Sequence, residues 1–343
     1  MGDYYSKNVK YLLVSRAMFV SKISKLFLVI IIFSMPIVLL SQHKSPRGFK
    51  KLNPYKEFVA KSSRAFNPHN TTAKIRYSFS RKNTDSLVLP KSYSKSKLVF
   101  SDNFDSFNSN VWGVGQPWGV YHPSFPHQYY GDSEVFVKNG NLYLLNQSRK
   151  KTFNENSKDS ITIPYGTGLI NTFKSNSFQY GYFAIRCKNP QGAATWPAFW
   201  LTGRYHWPPE IDIFEMYGKK DGSTVHKQMI TLHLGETENK SKRQFERGFK
   251  LPPNTDTSFH IYSCDWNDKR IRFYTDGVYV KSFRLTSWMK QYFQEPMYLI
   301  VNNALDHRYL NYLPKGKFSQ EFVVDWIKVY QNPKQILIPS SKE

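Results

Sequence analysis

Cysteine is nearly missing from this chain of 343 residues: Cys187 and Cys264 are too few for a disulfide-stapled scaffold, and their spacing excludes a cysteine-rich zinc site. They could form one bridge if the fold brings them together, or remain thiols. Long amphipathic helical periods are nearly absent, there is no internal repeat, and no zinc-finger or RNA-recognition pattern occurs. Acidic residues are also scarce, with 25 Asp and Glu against 48 Lys and Arg, a formal net charge of +23. Such an excess would suit a polyanion if it were spread over the chain. It is concentrated instead: residues 1–97 carry +16 and residues 98–343 only +7. A basic tail beside a membrane surface accounts for that distribution, and nucleic acid is not expected as a partner.

Long hydrophobic runs are missing except at one place. Residues 26–40, LFLVIIIFSMPIVLL, are apolar apart from Ser34 and Pro36. Such a run lies at the upper end of a signal-peptide core and below the roughly 18–20 residues of a comfortable membrane span. Five Lys or Arg precede it and five follow between residues 41 and 56, so charge asymmetry orients it only weakly. The basic leading segment, residues 1–25, is long for a signal peptide, and VLLSQHK is a poor small-residue cleavage pattern. An uncleaved anchor in the membrane is therefore expected, with a cleaved signal as the alternative. Either way the bulk of the chain is expected outside the cytoplasm, membrane-anchored or secreted. Residues 41–97, basic and rich in Ser, Asn and Lys, read as a flexible linker.

Aromatic side chains are plentiful: 26 Phe, 23 Tyr and 8 Trp, enough to build a large core or to line a sugar-binding cleft. From residue 98 onward short alternating runs follow one another, among them SEVFVKNGNLYLLNQ, QYGYFAIRCK, FHIYSCDW and FVVDWIKVYQ. Gly, Asn, Asp and Pro bound them, and TDG between RIRFY and VYVKSF is a hairpin signal. The pattern predicts one all-β sandwich over 98–331, with 332–343 as a C-terminal tail.

One run breaks the alternation. WPPEIDIFEMYG, residues 207–218, places Glu210, Asp212 and Glu215 among apolar neighbours, where unpartnered charge is costly. In a strand Glu210 and Asp212 share a face and Ile211 and Ile213 face the other way. Strict alternation would put Phe214 beside the acids, so one extra residue, a β-bulge, is needed to return Glu215 to their face. Three carboxylates in a row push one another's pKa values apart, which is what paired acid/base and nucleophilic catalysis requires. A solvated strand edge or a calcium site would account for the same spacing.

EIDIFE resembles the active-site strand of glycoside hydrolase family 16, in the branch with a bulged Glu-x-Asp-x-x-Glu, which includes laminarinases, agarases, carrageenases and exopolysaccharide depolymerases. The resemblance runs from about residue 98 to 331: VFSDNFDSFNSNVW, YGTGLINTFKSNSFQYGYFAIRCKNPQGAATWPAFWLTG, TLHLGE, MYLIVNNAL and FVVDWIKVYQ follow in the family's order. It implies a jelly-roll sandwich of two curved antiparallel sheets with substrate in a concave groove. It also implies a monomeric, retaining endo-β-glycanase acting on a β-linked polysaccharide, whether β-1,3-glucan, algal galactan or bacterial exopolysaccharide. Transglycosylation by the same residues and non-catalytic glycan binding are the alternatives. Carried over, Glu210 would be the nucleophile, Asp212 its assisting carboxylate and Glu215 the general acid/base. Trp196 and Trp207 match sugar platforms, His233 a histidine near the acid/base and Asn302 a cleft asparagine, while Trp200 reads as core and not cleft. No cofactor is implied for catalysis. A structural calcium would take Asn103 through its carbonyl, Gly140 and Asp325. Two departures bear on substrate: Ala184 where the family often has Glu, and Asp306 and His307 where it has Gly-Gly.

Overall fold

Alternation carries through to the backbone of the computed structural model, which describes residues 86–122, 124–154, 160–218, 227–235, 242–251 and 255–335. The expected basic segment 1–25, the apolar run 26–40, the linker up to residue 85 and the tail from 336 lie outside the described residues. Among the described residues no helix is long and apolar enough to cross a membrane. The strands are β1 (Lys97–Asp102), β2 (Gly113–Val114), β3 (Gln128–Tyr130), β4 (Val135–Lys138), β5 (Asn141–Asn154) and β6 (Ser160–Asn171). Next come β7 (Gly181–Lys188), β8 (Thr195–Gly203), β9 (Glu210–Glu215), β10 (Lys227–Leu234) and β11 (Lys242–Lys250). The chain closes with β12 (His260–Trp266), β13 (Arg270–Thr275), β14 (Val278–Arg284), β15 (Met297–Leu305) and β16 (Ser319–Gln331).

Hydrogen bonding runs in the order β11-β10-β9-β8-β15-β6-β5-β16-β7-β12-β13-β14, antiparallel along this path. The path folds at β6, whose residues 165–167 pair with both β3 and β5 while residues 168–171 pair with β15. At Gly168 a Cβ would lie 2.6 Å from the Glu134 carbonyl oxygen and 2.8 Å from Leu144 Cα, so the strand can turn from one layer to the other only with glycine there. The two layers close over Leu142, Phe183, Ile185, Phe199, Leu201, Phe273 and Val324, all buried. Full burial of such a side chain stabilises by about 1.5–3 kcal/mol each. This is the predicted jelly-roll sandwich.

The folded unit begins before residue 98, which corrects the linker boundary. Leu87 and Leu89 pack on a second cluster formed by Tyr93, Tyr182, Ala184, Ile261 and Trp326. Tyr93 is 2% exposed and its hydroxyl donates to Asp265 Oδ1 at 2.9 Å. Asp265 is in turn ion-paired with Arg272. The signal was there in the apolar Leu87, Val88, Leu89 and Tyr93, masked by the Ser and Lys around them. Ala184 is fully buried in this same cluster, so a Glu there would have to be buried with it. Cys187 and Cys264 are buried, free thiols on β7 and β12; Cys187 is paired in register with His260 and Cys264 with Phe183. Burial pushes both thiols well up.

Candidate active site

The bulge predicted from EIDIFE is present. On β8, Trp200 lies opposite Asp212 and Phe199 opposite Phe214, so Ile213 is the extra residue. Ile211, Ile213 and Phe214 all enter the core, and Asp212 lies against its outer side at 3% exposure, between the half-buried Glu210 and Glu215. One inserted residue therefore presents three carboxylates on the face away from the core.

Glu210 is held at one end of the row. Trp207 Nε1 donates to Glu210 Oε2 at 2.7 Å, and the Trp207 ring, 40% exposed, lies 5.9 Å from the His233 ring. Register sets His233 of β10 directly opposite Glu210, with Nε2 at 3.4 Å from both Glu210 Oε1 and Asp212 Oδ2. Burial, then the Asp212 carboxylate, raises Glu210 well above the usual carboxylate range, while His233 and the Trp207 hydrogen bond act the other way. His233 thus neighbours the expected nucleophile, not the acid/base as the resemblance implied. Glu210, Asp212 and His233 offer ligand atoms within 4.8 Å of one another and could together hold a metal ion.

Glu215, at the other end, has its own set of donors. Trp196 Nε1 at 3.0 Å and the Tyr217 hydroxyl at 2.9 Å both donate to Oε1, and the Thr231 hydroxyl donates to Oε2 at 3.1 Å. Trp196 is thereby a hydrogen-bond donor to the expected acid/base, its ring packed on Tyr217 and Phe125. Trp207 keeps the exposure a platform needs. Tyr217 and Thr231 escaped sequence reasoning. Tyr217 lies two residues beyond Glu215, a spacing that favours a shared face, whereas Thr231 is reached only through the β9–β10 register.

Asn302 is 6% exposed and committed to the protein: Trp200 Nε1 donates to its Oδ1 at 2.7 Å, and its amide donates to the Trp196 carbonyl at 3.3 Å. It ties β15 to β8 in the layer that carries the acid row. Trp200, expected in the core, is partly buried and packs against a separate buried cluster of Tyr130, Leu169, Tyr298 and Ile300. Of the expected calcium ligands, register brings Asn103, Gly140 and Asp325 to one end of the outer sheet, since Asp102 lies opposite Ile327 and Leu142 opposite Val324. Asp325, the one charged ligand of the set, is ion-paired with Arg186. Calcium takes about six to eight oxygens. One neutralised carboxylate and two carbonyls do not fit it.

A jelly-roll sandwich with a row of three acids displayed on its groove layer, two of them carrying separate donors, defines a carbohydrate-cleaving class. Comparison with known proteins agrees, and the chain belongs to the glycosyl hydrolases family 16, whose sequence profile matches residues 129–328. It is 34% identical over 169 residues to an endo-1,3-1,4-beta-glycanase of Rhizobium meliloti, covering 48% of this chain and 33% of that one. The chain thus spans about a third of that relative's length. A beta-glucanase of Rhodothermus marinus is 28% identical over 264 residues, covering 68% of this chain and 85% of its own. Among solved structures, the catalytic domain of an endo-1,3-beta-glucanase (laminarinase) from Thermotoga petrophila superposes with a TM-score of 0.59 at 26% identity, covering 69% of this chain and 98% of that one.

Proposed function

We propose that this protein is an endo-acting, retaining hydrolase of a β-linked polysaccharide, with β-1,3-linked or mixed-linkage glucan as the first substrate to try. The observation that carries the proposal is the bulge at Ile213, which turns Glu210, Asp212 and Glu215 to one face and leaves Glu210 and Glu215 with different partners. The substrate suggestion rests on the activities named for the similar proteins.

In the mechanism, ionised Glu210 attacks the anomeric carbon and a covalent glycosyl-enzyme forms as the bond to the leaving oxygen breaks. Trp207 and His233 orient Glu210, and Asp212 shares the proton that burial favours on the pair. Glu215 Oε1 is occupied by two donors and Oε2 by the Thr231 hydroxyl alone, so the transferable proton is carried on the less occupied Oε2 and passes to the leaving oxygen. Water then enters on the leaving side, gives its proton to Glu215 and attacks the anomeric carbon, releasing Glu210 with net retention. The exposed Trp207 ring offers a flat apolar face to a sugar beside Glu210. No step needs a cofactor. The chain acts as a monomer outside the cytoplasm, tethered through residues 26–40.

The test is chain shortening by the full protein on laminarin, mixed-linkage glucan, agar, carrageenan and a bacterial exopolysaccharide, with Glu210→Gln as control. Cleavage of at least one polymer by the wild type alone supports the proposal. Binding without cleavage on all of them overturns it in favour of a glycan-binding protein, and products longer than the substrate would make it a transglycosylase.

A further inference from the structure

Tyr217 is committed to the protein. Its ring lies 5.5 Å from Trp196 and carries the Arg308 guanidinium at 4.9 Å from its centre. Its hydroxyl is bound to Glu215 Oε1. Arg308 is itself braced. Its Nε donates to both oxygens of Asp306 at 2.9 and 3.0 Å, and its Nη2 to Oδ2 at 2.7 Å. Asp306 is 2% exposed, and its backbone N–H is bound to Ala194 at 2.7 Å, two residues before Trp196. A continuous line therefore runs from Asp306 through Arg308 and Tyr217 to Glu215. Asp306 and Arg308 fall in the segment that departs from the family's Gly-Gly, so nothing about the acid row itself foretells them.

We infer that Tyr217 is a positioning residue that fixes the Glu215 carboxyl for proton transfer, and that Arg308, braced by Asp306, acts on Glu215 only through Tyr217. The inference rests on Glu215 being the general acid/base. Physically, a cation over a phenol ring draws electron density from it and strengthens the hydroxyl as a donor. The hydroxyl, donating to Oε1 together with Trp196, leaves Oε2, which accepts from Thr231 alone, to carry the mobile proton. Arg308 lies on the Glu215 side of the acid row: β8 pairs Thr202 with Glu210 and Ala198 with Glu215, and Ala304 of β15 pairs further on, with Trp196. Its side chain is 54% exposed there, so direct contact with the leaving sugar is the competing account.

The experiment is a double-mutant cycle in the full chain on whichever polymer the wild type cleaves. Tyr217→Phe should lower kcat about ten- to a hundredfold, the usual effect of losing a hydrogen bond to a charged group, with KM changed by no more than about twofold. Arg308→Met should cost about three- to tenfold in kcat, and Arg308→Lys should recover part of that loss. In the Tyr217→Phe background the Arg308→Met loss should vanish. With the 2,4-dinitrophenyl β-glycoside of the same sugar, whose leaving group departs unprotonated, kcat/KM of every variant should stay near that of the wild type.

Additive losses, or an Arg308→Met effect confined to KM, would overturn the inference and make Arg308 a sugar ligand. Equal losses on the polymer and on the dinitrophenyl glycoside would overturn it as general loss of structure. Should the full chain cleave no polymer, the hydrolase proposal fails separately, and the carboxyl 13C signal of Glu215 still decides the inferred line of contacts. Arg308→Met must then shift that signal in the wild-type background and leave it unmoved once Tyr217 is Phe.

Discussion

Replacing Glu210 by Gln removes one charge from the acid row while keeping the side chain's shape and an oxygen for Trp207 Nε1. The wild-type carboxyl is raised well above the usual range by burial and by Asp212, so the folded protein resists ionising it. In the unfolded chain Glu210 ionises near its ordinary value of about 4.3. Below that pH both states carry the proton, and the folded state has nothing to lose. As pH rises through the raised folded value, the native protein must ionise a group it disfavours, and stability falls. Gln never ionises. The variant should therefore melt above the wild type at pH 7, with the difference disappearing near pH 4. Each unit by which Glu210 is raised is worth about 1.4 kcal/mol, or about 3–6 °C in Tm for a domain of this size. Calorimetry at both pH values measures it, alongside a loss of turnover of about ten-thousandfold or more. A variant less stable than wild type at pH 7, or equally offset at both pH values, would refute the electrostatic account. A Gln variant that still turns over would refute the nucleophile.

Asp212→Asn removes a neighbour that raises Glu210, so the acidic limb of the kcat/KM profile should move to lower pH, whatever rate remains. Trp207→Phe removes a hydrogen bond that lowers Glu210, so the same limb should move to higher pH, with about 1.5–3 kcal/mol lost in transition-state stabilisation. Tyr93→Phe strips a donor from the buried Asp265 and should cost about 1.5–3 kcal/mol in denaturant unfolding, with kcat unchanged. A chain begun at Lys97 should lose more than that, since Leu87, Leu89 and Tyr93 leave together. With Asp325 already paired to Arg186, millimolar calcium or a chelator should leave Tm unmoved, and a calcium-dependent rise would restore the expected site.

Strand texture, the sandwich and the acid row were legible in the residues because they depend on local period. Alternation marks which residues face the core, and the mismatch of Phe214 with the acid face already demanded the bulge found at Ile213. The ends of the fold were less legible. Ser and Lys dominate residues 86–97, yet a few apolar side chains among them suffice to bury Tyr93 in a cluster with Tyr182, Ile261 and Trp326. Composition averages over a segment, whereas burial is decided residue by residue.

The partners of each carboxylate belong to the tertiary structure alone. His233 reached Glu210 because β10 pairs with β9 in one register, and a slip of one residue would have turned it to the core. Asn302 looked like a groove residue by likeness, and three-dimensional packing instead bound it between Trp200 and the Trp196 backbone. Arg308 meets Tyr217 across 91 positions of chain, through a turn pinned by Asp306. The residues themselves determined that three acids would share one face, since side-chain direction along a strand follows from sequence position. How Glu210 comes to be raised, which acid is held by three donors and which cation stands behind them depended on strands that meet only when the sheet closes. Hydrogen bonds and charge–charge forces act over a few ångströms in space and are indifferent to separation along the chain.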